Sequence, residues 1–290
     1  MPFFSIIIPA YNRAHLIGKT IEDVLSQSFS DFELIIADDG STDDTEKVMN
    51  TFLSDPRIIY KKQNNKGVCA ARNFGASFAS GKYLVFLDSD DSVTKDWLND
   101  FYALLNNSSI EVGFCNMKEI HADGSEILVD AQKPYANRNV QGKYIAGMFA
   151  IQKNIFDAVG GYDEHLKFGE NTELGIRLRM RNVSMGFVNH CHFFYHVSPG
   201  GGGKNLRNKM ESNIRIVEKH PDYFKQNPNT KKLFLQVAAV SAIKMGEYQK
   251  ANRIFGDLRK EFPGDKKLLL QYLFSSHKWL AKLFWRSTNK

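Results

Sequence analysis

Residues 81–91 read GKYLVFLDSDD, and this stretch decides the fold. A turn glycine, Gly81, precedes an apolar and aromatic run over residues 83–87, after which Asp88, Asp90 and Asp91 crowd together. An apolar run of this length bounded by a glycine turn fits a strand buried on both faces. The carboxylates then fall where the strand emerges, which is where open α/β sheets form their ligand crevice. Crowded carboxylates repel one another unless a cation or hydrogen-bond donors compensate. An oxygen-rich set with Lys95 as its nearby cation suits a hard divalent ion, Mg²⁺ or Mn²⁺. The competing reading is a polar loop after a core strand, with Asp91 or Ser92 capping the next helix.

Upstream, residues 3–8 (FFSIII) form a β-branched and aromatic run that stops at Pro9, in PAYNR. Leu16, Ile17, Ile21, Val24 and Leu25 recur at helical spacing. Residues 32–37 (FELIIA) read as a second strand ending at Asp38-Asp39-Gly40-Ser41, with Ser41 or Thr42 able to cap the following helix. Residues 57–61 (RIIYK) make a short third strand, and a small-residue helix, VCAARNFGASFAS, follows Gly67. Strands alternating with helices predict right-handed βαβ units and a parallel sheet over residues 1–105. Every strand of this half ends in polar residues, as a nucleotide site on a doubly wound sheet requires. No G-x-G-x-x-G follows the first strand and no G-x-x-x-x-G-K-[ST] occurs, which disfavours a dinucleotide dehydrogenase and a P-loop NTPase.

The chain has 290 residues, 43% of them apolar and 24% charged, an ordinary balance for a soluble protein of one large or two modest domains. No run of about 18 apolar residues predicts a membrane span, and the first residues lack the pattern of a signal peptide. Cys69, Cys115 and Cys191 are odd in number and far apart, which points to thiols in a reducing cytosol. Charge is uneven: residues 1–230 carry 25 Lys and Arg against 28 Asp and Glu, a net of −3, while residues 231–290 carry 13 against 4, a net of +9. The basic character belongs to the tail, away from the carboxylate cluster.

Four segments in order, SIIIPAYNR, LSQSFSDFELIIADDGSTDDT, NKGVCAARNFGASFASGKYLVFLDSDD and GGYDEHLKFGENTEL, resemble the family 2 glycosyltransferases of the GT-A fold. The match is dense over residues 3–91 and partial over 145–180. The resemblance implies an α/β, Rossmann-like, mostly parallel central sheet flanked by helices. It implies metal-dependent transfer of a sugar from a nucleotide-diphosphate donor, with a UDP-sugar first in line, to an acceptor hydroxyl of a glycan or lipid-linked substrate. It places Pro9, Ala10, Tyr11 and Asp39 around base and ribose, Arg72 against the donor, Asp88 and Ser89 near ribose and phosphate, and Asp90 on Mg²⁺ or Mn²⁺. The residues agree with this on their own chemistry: a carboxylate such as Asp39 can accept a base N–H, and the Tyr11 ring can stack. Asp39 also reads as a turn residue beside Gly40, and Arg72 as a surface ion pair.

The same family usually carries Glu-Asp where this chain has Glu170-Asn171, with the Asp as general base. An inverting transfer needs a base to take the acceptor proton, and an amide cannot do so. Glu170, or else Glu173, is the expected substitute; both also read as acids complementing a helix N-terminus. Alternation puts His190, His192, Phe194 and His196 on one face of an extended segment. His196 is the candidate for completing the metal shell, alongside Asp88 and Asp90. Residues 200–203 are four glycines followed by Lys204, which fits either a lid over the diphosphate or a linker.

The expected organisation is a glycosyltransferase domain over 1–204, with a nucleotide-binding half (1–105) and an acceptor half (106–204), then an all-helical extension over 205–290. A helix over 205–223 and one tetratricopeptide-like hairpin beyond residue 230 are expected in it. The stretch 266–290 mixes Leu, Phe and Trp with Lys and Arg, which fits peripheral contact with an anionic membrane or a helix packed on its domain. Nucleic acid is not an expected partner. The resulting expectation is a cytoplasmic enzyme at the inner face of the membrane, building surface polysaccharide or glycolipid. A sugar-nucleotide-binding protein with impaired or no transferase activity is the alternative that Asn171 raises.

Overall fold

A computed structural model describes residues 1–106, 109–133, 144–197, 205–275 and 279. The chain divides into two compact units, Met1–His165 with Glu170–Pro199, and Leu166–Gly169 with Gly200–Lys290.

The first unit is built on strands β1 (Phe4–Ala10), β2 (Phe32–Asp38), β3 (Ile58–Lys62) and β4 (Tyr83–Phe86), in the spatial order β3-β2-β1-β4 and all parallel. Every residue of β1 and β4 is buried. Sealed on both faces, these strands have no polar side to alternate with, which is why they appear in the sequence as unbroken apolar runs. Helices α1 (Ile17–Leu25), α2 (Thr45–Asn50) and α3 (Val68–Ser77) make the crossovers. The small residues of α3 let it lie close on the sheet: a Cβ on Gly75 would come within 2.6 Å of Ile7 Cγ2. Helix α2 starts at Thr45, later than expected, and takes no cap from Ser41 or Thr42. The Ser41 hydroxyl instead accepts the Asn12 N–H at 2.9 Å, tying the β2 exit to the β1 exit.

Beyond β4 the sheet changes direction. Strands β5 (Ser92–Val93), β6 (Val112–Ile120), β7 (Glu126–Val129), β8 (Phe149–Gln152) and β9 (Met185–His196) extend it as β4-β8-β6-β9-β5, with β7 paired to β6. The β4–β8, β6–β8, β6–β7 and β5–β9 pairs are antiparallel, and β6–β9 is parallel. A mostly parallel sheet in the first half thus continues as a mixed one in the second. Helices α4 (Trp97–Leu105), α5 (Lys153–Ala158) and α6 (Glu170–Met180) complete the unit. Trp97 is fully buried and donates its indole N–H to the Gly147 carbonyl at 3.1 Å.

The second unit is helical: α7 (Leu206–Lys219), α8 (Pro221–Gln226), α9 (Pro228–Lys244), α10 (Tyr248–Glu261) and α11 (Lys266–Ser275). The single helix expected over 205–223 is broken before Pro221, which has no N–H to continue the ladder and opens α8 instead. Helices α9 and α10, joined at Gly246, close a separate core of Ala238, Ala239, Ala242, Ala251, Phe255 and Leu258 with Met210 of α7. Of the expected membrane-facing stretch, α11 is described, and Leu269, Leu270 and Leu273 are exposed on it. Most of 276–290 lies outside the described residues.

Gly147 has φ +88, and a Cβ there would meet the Phe193 ring at 2.3 Å. Gly147→Ala combines a disfavoured backbone with overpacking. It should cost about 2–4 kcal/mol of unfolding free energy in urea titration, with the slope unchanged.

Candidate active site

The exits of β1 and β2 are held together by short polar contacts. Asn12, at φ 54, accepts from the Thr42 N–H at 2.8 Å, and the Asp39 N–H donates to the Ala10 carbonyl at 2.8 Å. Pro9 and Ala10 are buried, while the Tyr11 ring is 46% exposed beside them. Asp39 is buried, and its carboxylate accepts from Gln63 Nε2 (2.8 Å), the Lys66 N–H (2.9 Å) and the Gly67 N–H (2.7 Å). It therefore shapes the loop that opens α3, and a carboxylate with about four lone-pair sites retains one for a ligand N–H.

Helix α3 carries the central contact. Arg72 is not the surface ion pair of the alternative reading; its side chain is 2% exposed. Its Nη2 donates to Asp88 Oδ1 at 2.6 Å and its Nη1 to Glu170 Oε1 at 3.0 Å. The guanidinium also lies over the Tyr162 ring, 5.2 Å from its centroid. Burial works against this charge, but Asp88, Tyr162 and Glu170 outweigh it, so the guanidinium stays firmly protonated. The next residue, Asn73, clamps the glycine turn at 160–161: its Nδ2 donates to the Tyr162 carbonyl (2.9 Å) and to Glu164 (3.0 Å), and its Oδ1 accepts the Tyr162 N–H (2.8 Å). Sequence reading missed Asn73 and Tyr162 as site-forming residues, although both lie inside the segments quoted above.

The carboxylates after β4 differ in environment. Asp88 is one-third exposed, Asp90 half-buried and Asp91 buried. Burial, then the neighbouring Asp88, raises Asp90 above the usual carboxylate range. Burial and the charges of Asp88 and Asp90 push Asp91 up to about 9. Asp91 Oδ1 accepts the His196 N–H at 3.0 Å, whereas its buried Oδ2 has no hydrogen-bond partner among the described residues. Asp91 thus fastens β5 to β9 and caps no helix; α4 begins at Trp97. Ser89 is buried, and the Thr20 hydroxyl reaches its carbonyl and that of Asp91, both at 3.1 Å. Two neighbouring acids, Asp90 and Asp91, held toward their neutral forms, with one unmatched carboxylate oxygen, fit a hard divalent cation such as Mg²⁺ or Mn²⁺.

The second-half candidates divide. Glu170 opens α6 with Oε1 engaged by Arg72 and by Asn171 Nδ2 at 3.2 Å. Asn171 in turn accepts the Tyr162 hydroxyl at 2.9 Å. Glu173 has no exposed surface, and Arg177 forks onto both of its oxygens at 2.6–3.1 Å. It is an internal ion-pair partner, which removes it as a candidate base. His196 Nε2 sits 3.0 Å from Ser92 Oγ, and the ring is close enough to act on the Asp90 charge. Two irregularities interrupt the β6–β9 pairing between Val188 and Phe193, while alongside β5 His192 meets Thr94 and His196 meets Ser92. His190 and His192 both turn to Asp100 on α4, while His196 faces Ser92. Among the described residues, Asp100, His190 and His192 are the set whose ligand atoms converge within 4.8 Å, rather than Asp88, Asp90 and His196. Lys204 and the glycine run before it lie outside the described residues.

Comparison with known proteins gives a match of the family described as "Glycosyl transferase family 2" to residues 5–162. The chain is 49% identical over 92 residues to the Escherichia coli protein named UDP-Glc:alpha-D-GlcNAc-diphosphoundecaprenol beta-1,3-glucosyltransferase WfaP, covering 31% of this chain and 36% of that one. The matched part spans between 14% and 40% of the lengths of the curated relatives. In structure the chain resembles S. aureus TarS 1–349, with a TM-score of 0.68 at 17% identity over 99% of this chain and 92% of that one. It also resembles the mannosyltransferase PcManGT of Pyrobaculum calidifontis, solved with GDP-Man and Mn²⁺, with a TM-score of 0.63 at 13% identity over 100% and 88%. These two likenesses bear out the GT-A fold, its mostly parallel sheet and its helical C-terminal part.

Arg72→Met would leave Asp88 and Glu170 facing each other without the buried charge between them. Loss of one partner from a buried network should destabilise the protein by about 3–5 kcal/mol in denaturant titration. A pH dependence also follows. Asp91 has a raised pKa in the fold, so the native state holds more protons than the unfolded chain between the ordinary carboxylate range and about 9. Metal-free protein should therefore lose stability as pH rises through that window. Asp91→Asn, which keeps an acceptor for the His196 N–H, should flatten the slope of melting temperature against pH.

Proposed function

The chain belongs to glycosyl transferase family 2, and from that premise we propose that it moves a sugar from a nucleotide-diphosphate donor, a UDP-sugar in the first place, to an acceptor hydroxyl. The observation that carries this reading is the Asp88–Arg72–Glu170 bridge, which brings the end of β4 and the start of α6 to one guanidinium.

In this reading Tyr11, Pro9, Ala10 and Asp39 hold the base and ribose, and Asp88 and Ser89 the ribose and diphosphate. Support for a UDP-sugar comes from the activity that the name of WfaP states and from a TarS structure solved with UDP-GlcNAc. Asp88 and Asp90, joined by His196, would hold Mg²⁺ or Mn²⁺, which offsets charge on the departing diphosphate. Arg72 keeps Asp88 and Glu170 in fixed relation and remains a cation throughout. Glu170 takes the proton of the acceptor hydroxyl as that oxygen attacks C1. The bond from C1 to the diphosphate oxygen breaks, its electron pair leaves with the nucleotide, and the anomeric configuration inverts. Lys204 is assigned to a lid over the diphosphate.

We assign residues 1–204 to the transferase domain, with the donor half in 1–105 and the acceptor half in 106–204, and 205–290 to a helical region with one tetratricopeptide-like hairpin. No helix among the described residues is long and apolar enough to cross a membrane. The basic tail and the lipid-linked acceptor in the WfaP name support a place at the cytoplasmic face of the membrane, in surface polysaccharide or glycolipid synthesis. A second reading, a sugar-nucleotide-binding protein with impaired transfer, is favoured by Asn171: its Oδ1 is committed to the Tyr162 hydroxyl and an amide takes no proton.

Isothermal titration of the full chain separates these readings. UDP-sugar should bind with Mn²⁺ present, and Asp90→Ala should abolish the metal-dependent part. Absence of binding for UDP, GDP and dTDP sugars alike would overturn the donor assignment. Glu170→Gln should retain donor binding and lose about 10²–10⁴-fold in turnover. Unchanged turnover would refute Glu170 as the base, and donor binding without any turnover in the unaltered chain would favour the second reading.

A further inference from the structure

Away from the donor carboxylates, three side chains that the transfer reaction does not use meet at one point. Asp100 on α4 presents Oδ2 to His190 Nδ1 at 2.6 Å and to His192 Nε2 at 2.9 Å. The two imidazoles stand nearly perpendicular, their centroids 5.8 Å apart. His192 is buried, Asp100 is partly covered, and the His190 side chain is 74% exposed, so the cluster opens to solvent on one side.

The backbone departs from regular pairing at these histidines. Val188 pairs with Cys115 and Cys191 with Asn116, which leaves Asn189 and His190 as extra residues on β9; Phe193 then pairs with Met117, leaving His192 extra as well. In an unbroken strand two such residues would stand in parallel on one face. The bulges instead turn both rings onto a single carboxylate oxygen, and re-aiming of side chains is a characteristic use of a bulge. Two further contacts hold the arrangement. His192 Nδ1 meets Thr94 Oγ1, and the Thr94 N–H donates to the His192 carbonyl at 2.9 Å.

We propose that Asp100, His190 and His192 form a Zn²⁺ site that fastens α4 to β9, separate from the oxygen-rich site at Asp88 and Asp90. Two imidazoles and one carboxylate match the ligand preferences of zinc, with solvent as the fourth ligand on the open side. Tetrahedral ligands about 2.0–2.1 Å from the metal lie about 3.3 Å apart, so the two Asp100–imidazole contacts must lengthen by about half an ångström to admit the ion. The exposed His190 ring has room to supply that movement. Thr94 then plays the outer role expected beside a metal-bound imidazole: it accepts the Nδ1 proton of His192 and leaves the Nε2 lone pair for the ion. Mg²⁺ and Mn²⁺ prefer oxygen ligands, so the two sites select different ions. The strand held by this zinc continues to His196, and the segment holding Thr94 follows directly from Asp91.

The test uses the full chain stripped with chelator, then titrated with Zn²⁺ by calorimetry and followed by thermal melting. The expected result is one tight Zn²⁺ retained in excess Mg²⁺. The melting temperature should rise by about 5 °C when free zinc is about a hundredfold above the dissociation constant. His190→Ala, at an exposed position, should weaken zinc at least about tenfold. Asp90→Asn should leave zinc affinity unchanged, and Co²⁺ should give the visible absorption of a four-coordinate site in the unaltered chain but not in His190→Ala. Failure of Zn²⁺ to bind, equal binding by His190→Ala, or loss of binding in Asp90→Asn would each overturn the proposal. Those outcomes leave the donor-site reading standing, because that reading is tested with nucleotide and Mn²⁺.

Discussion

The first unit depends on a buried cation between two carboxylates. Arg72 lies within the small-residue helix that packs on β1, and its two terminal nitrogens reach Asp88 beyond β4 and Glu170 at the head of α6. Such a charge is tolerated in the interior because both terminal nitrogens meet anions in the plane and the Tyr162 ring lies against the flat side, although the buried Nε has no hydrogen-bond partner among the described residues. Lysine offers a single ammonium on a flexible stem and could not reproduce both in-plane contacts at once. The adjacent Asn73 grips the Tyr162 backbone, so one turn of α3 sets the position of the turn over residues 160–164 and of the α6 N-terminus. The parallel half of the sheet and the mixed half therefore share a polar joint at the place where chemistry is expected.

A second constraint is acidic crowding at the β4 exit. Three carboxylates in four positions cannot all ionise freely, and the fold resolves this by giving each a different environment. Asp88 takes its compensation from Arg72. Asp91 is buried, fixes the β5–β9 pair through the His196 N–H, and is driven toward its neutral form. Asp90 is half-buried, and burial with the neighbouring Asp88 raises it above the usual carboxylate range. This order of environments along a short segment bears on the proposed assignment of Asp90 to a metal, and the bare sequence pattern does not reveal it.

Much of the donor half was legible because its strands are sealed on both faces and therefore read as continuous apolar runs, with polar residues at every carboxyl end. Arg72 stood out by its place in a family motif, but its burial did not: a helix of small residues looks the same whether its arginine faces solvent or an internal pair of acids. The second half was harder to read. The sheet reverses direction after β4, and β5 is a two-residue strand that acquires its partner, β9, about a hundred residues later. Period-two reasoning put His190, His192 and His196 on one face, but it gives no sign of the extra residues that β9 carries opposite β6, nor of the division of these rings between Asp100 and Ser92. Asp100 carried no local signal at all; its relevance comes from packing of α4 on β9, a contact between residues roughly ninety positions apart. Glu173 misled for a related reason, since an acid in the first turn of a helix gives no hint that Arg177, one turn on, will cover it.

The replacement at residue 171 illustrates how the joint at Arg72 constrains the chemistry. An aspartate at 171 would place another negative charge beside Glu170, next to a guanidinium already shared between two anions. Asparagine removes that charge and uses both ends of its amide, accepting from the Tyr162 hydroxyl and donating to Glu170 Oε1. The hydroxyl of Tyr162 is held in its neutral form by burial and would find an acceptor in a carboxylate as well, so what the amide adds is its donation to Glu170. The amide thus completes the hydrogen bonding around Tyr162 and leaves Glu170 as the ionisable group at the mouth of α6. With Glu173 covered by Arg177, the carboxylate proposed as the base is the one that Arg72 itself positions. The contact that joins the two halves of the unit is therefore also the one that orients the candidate base.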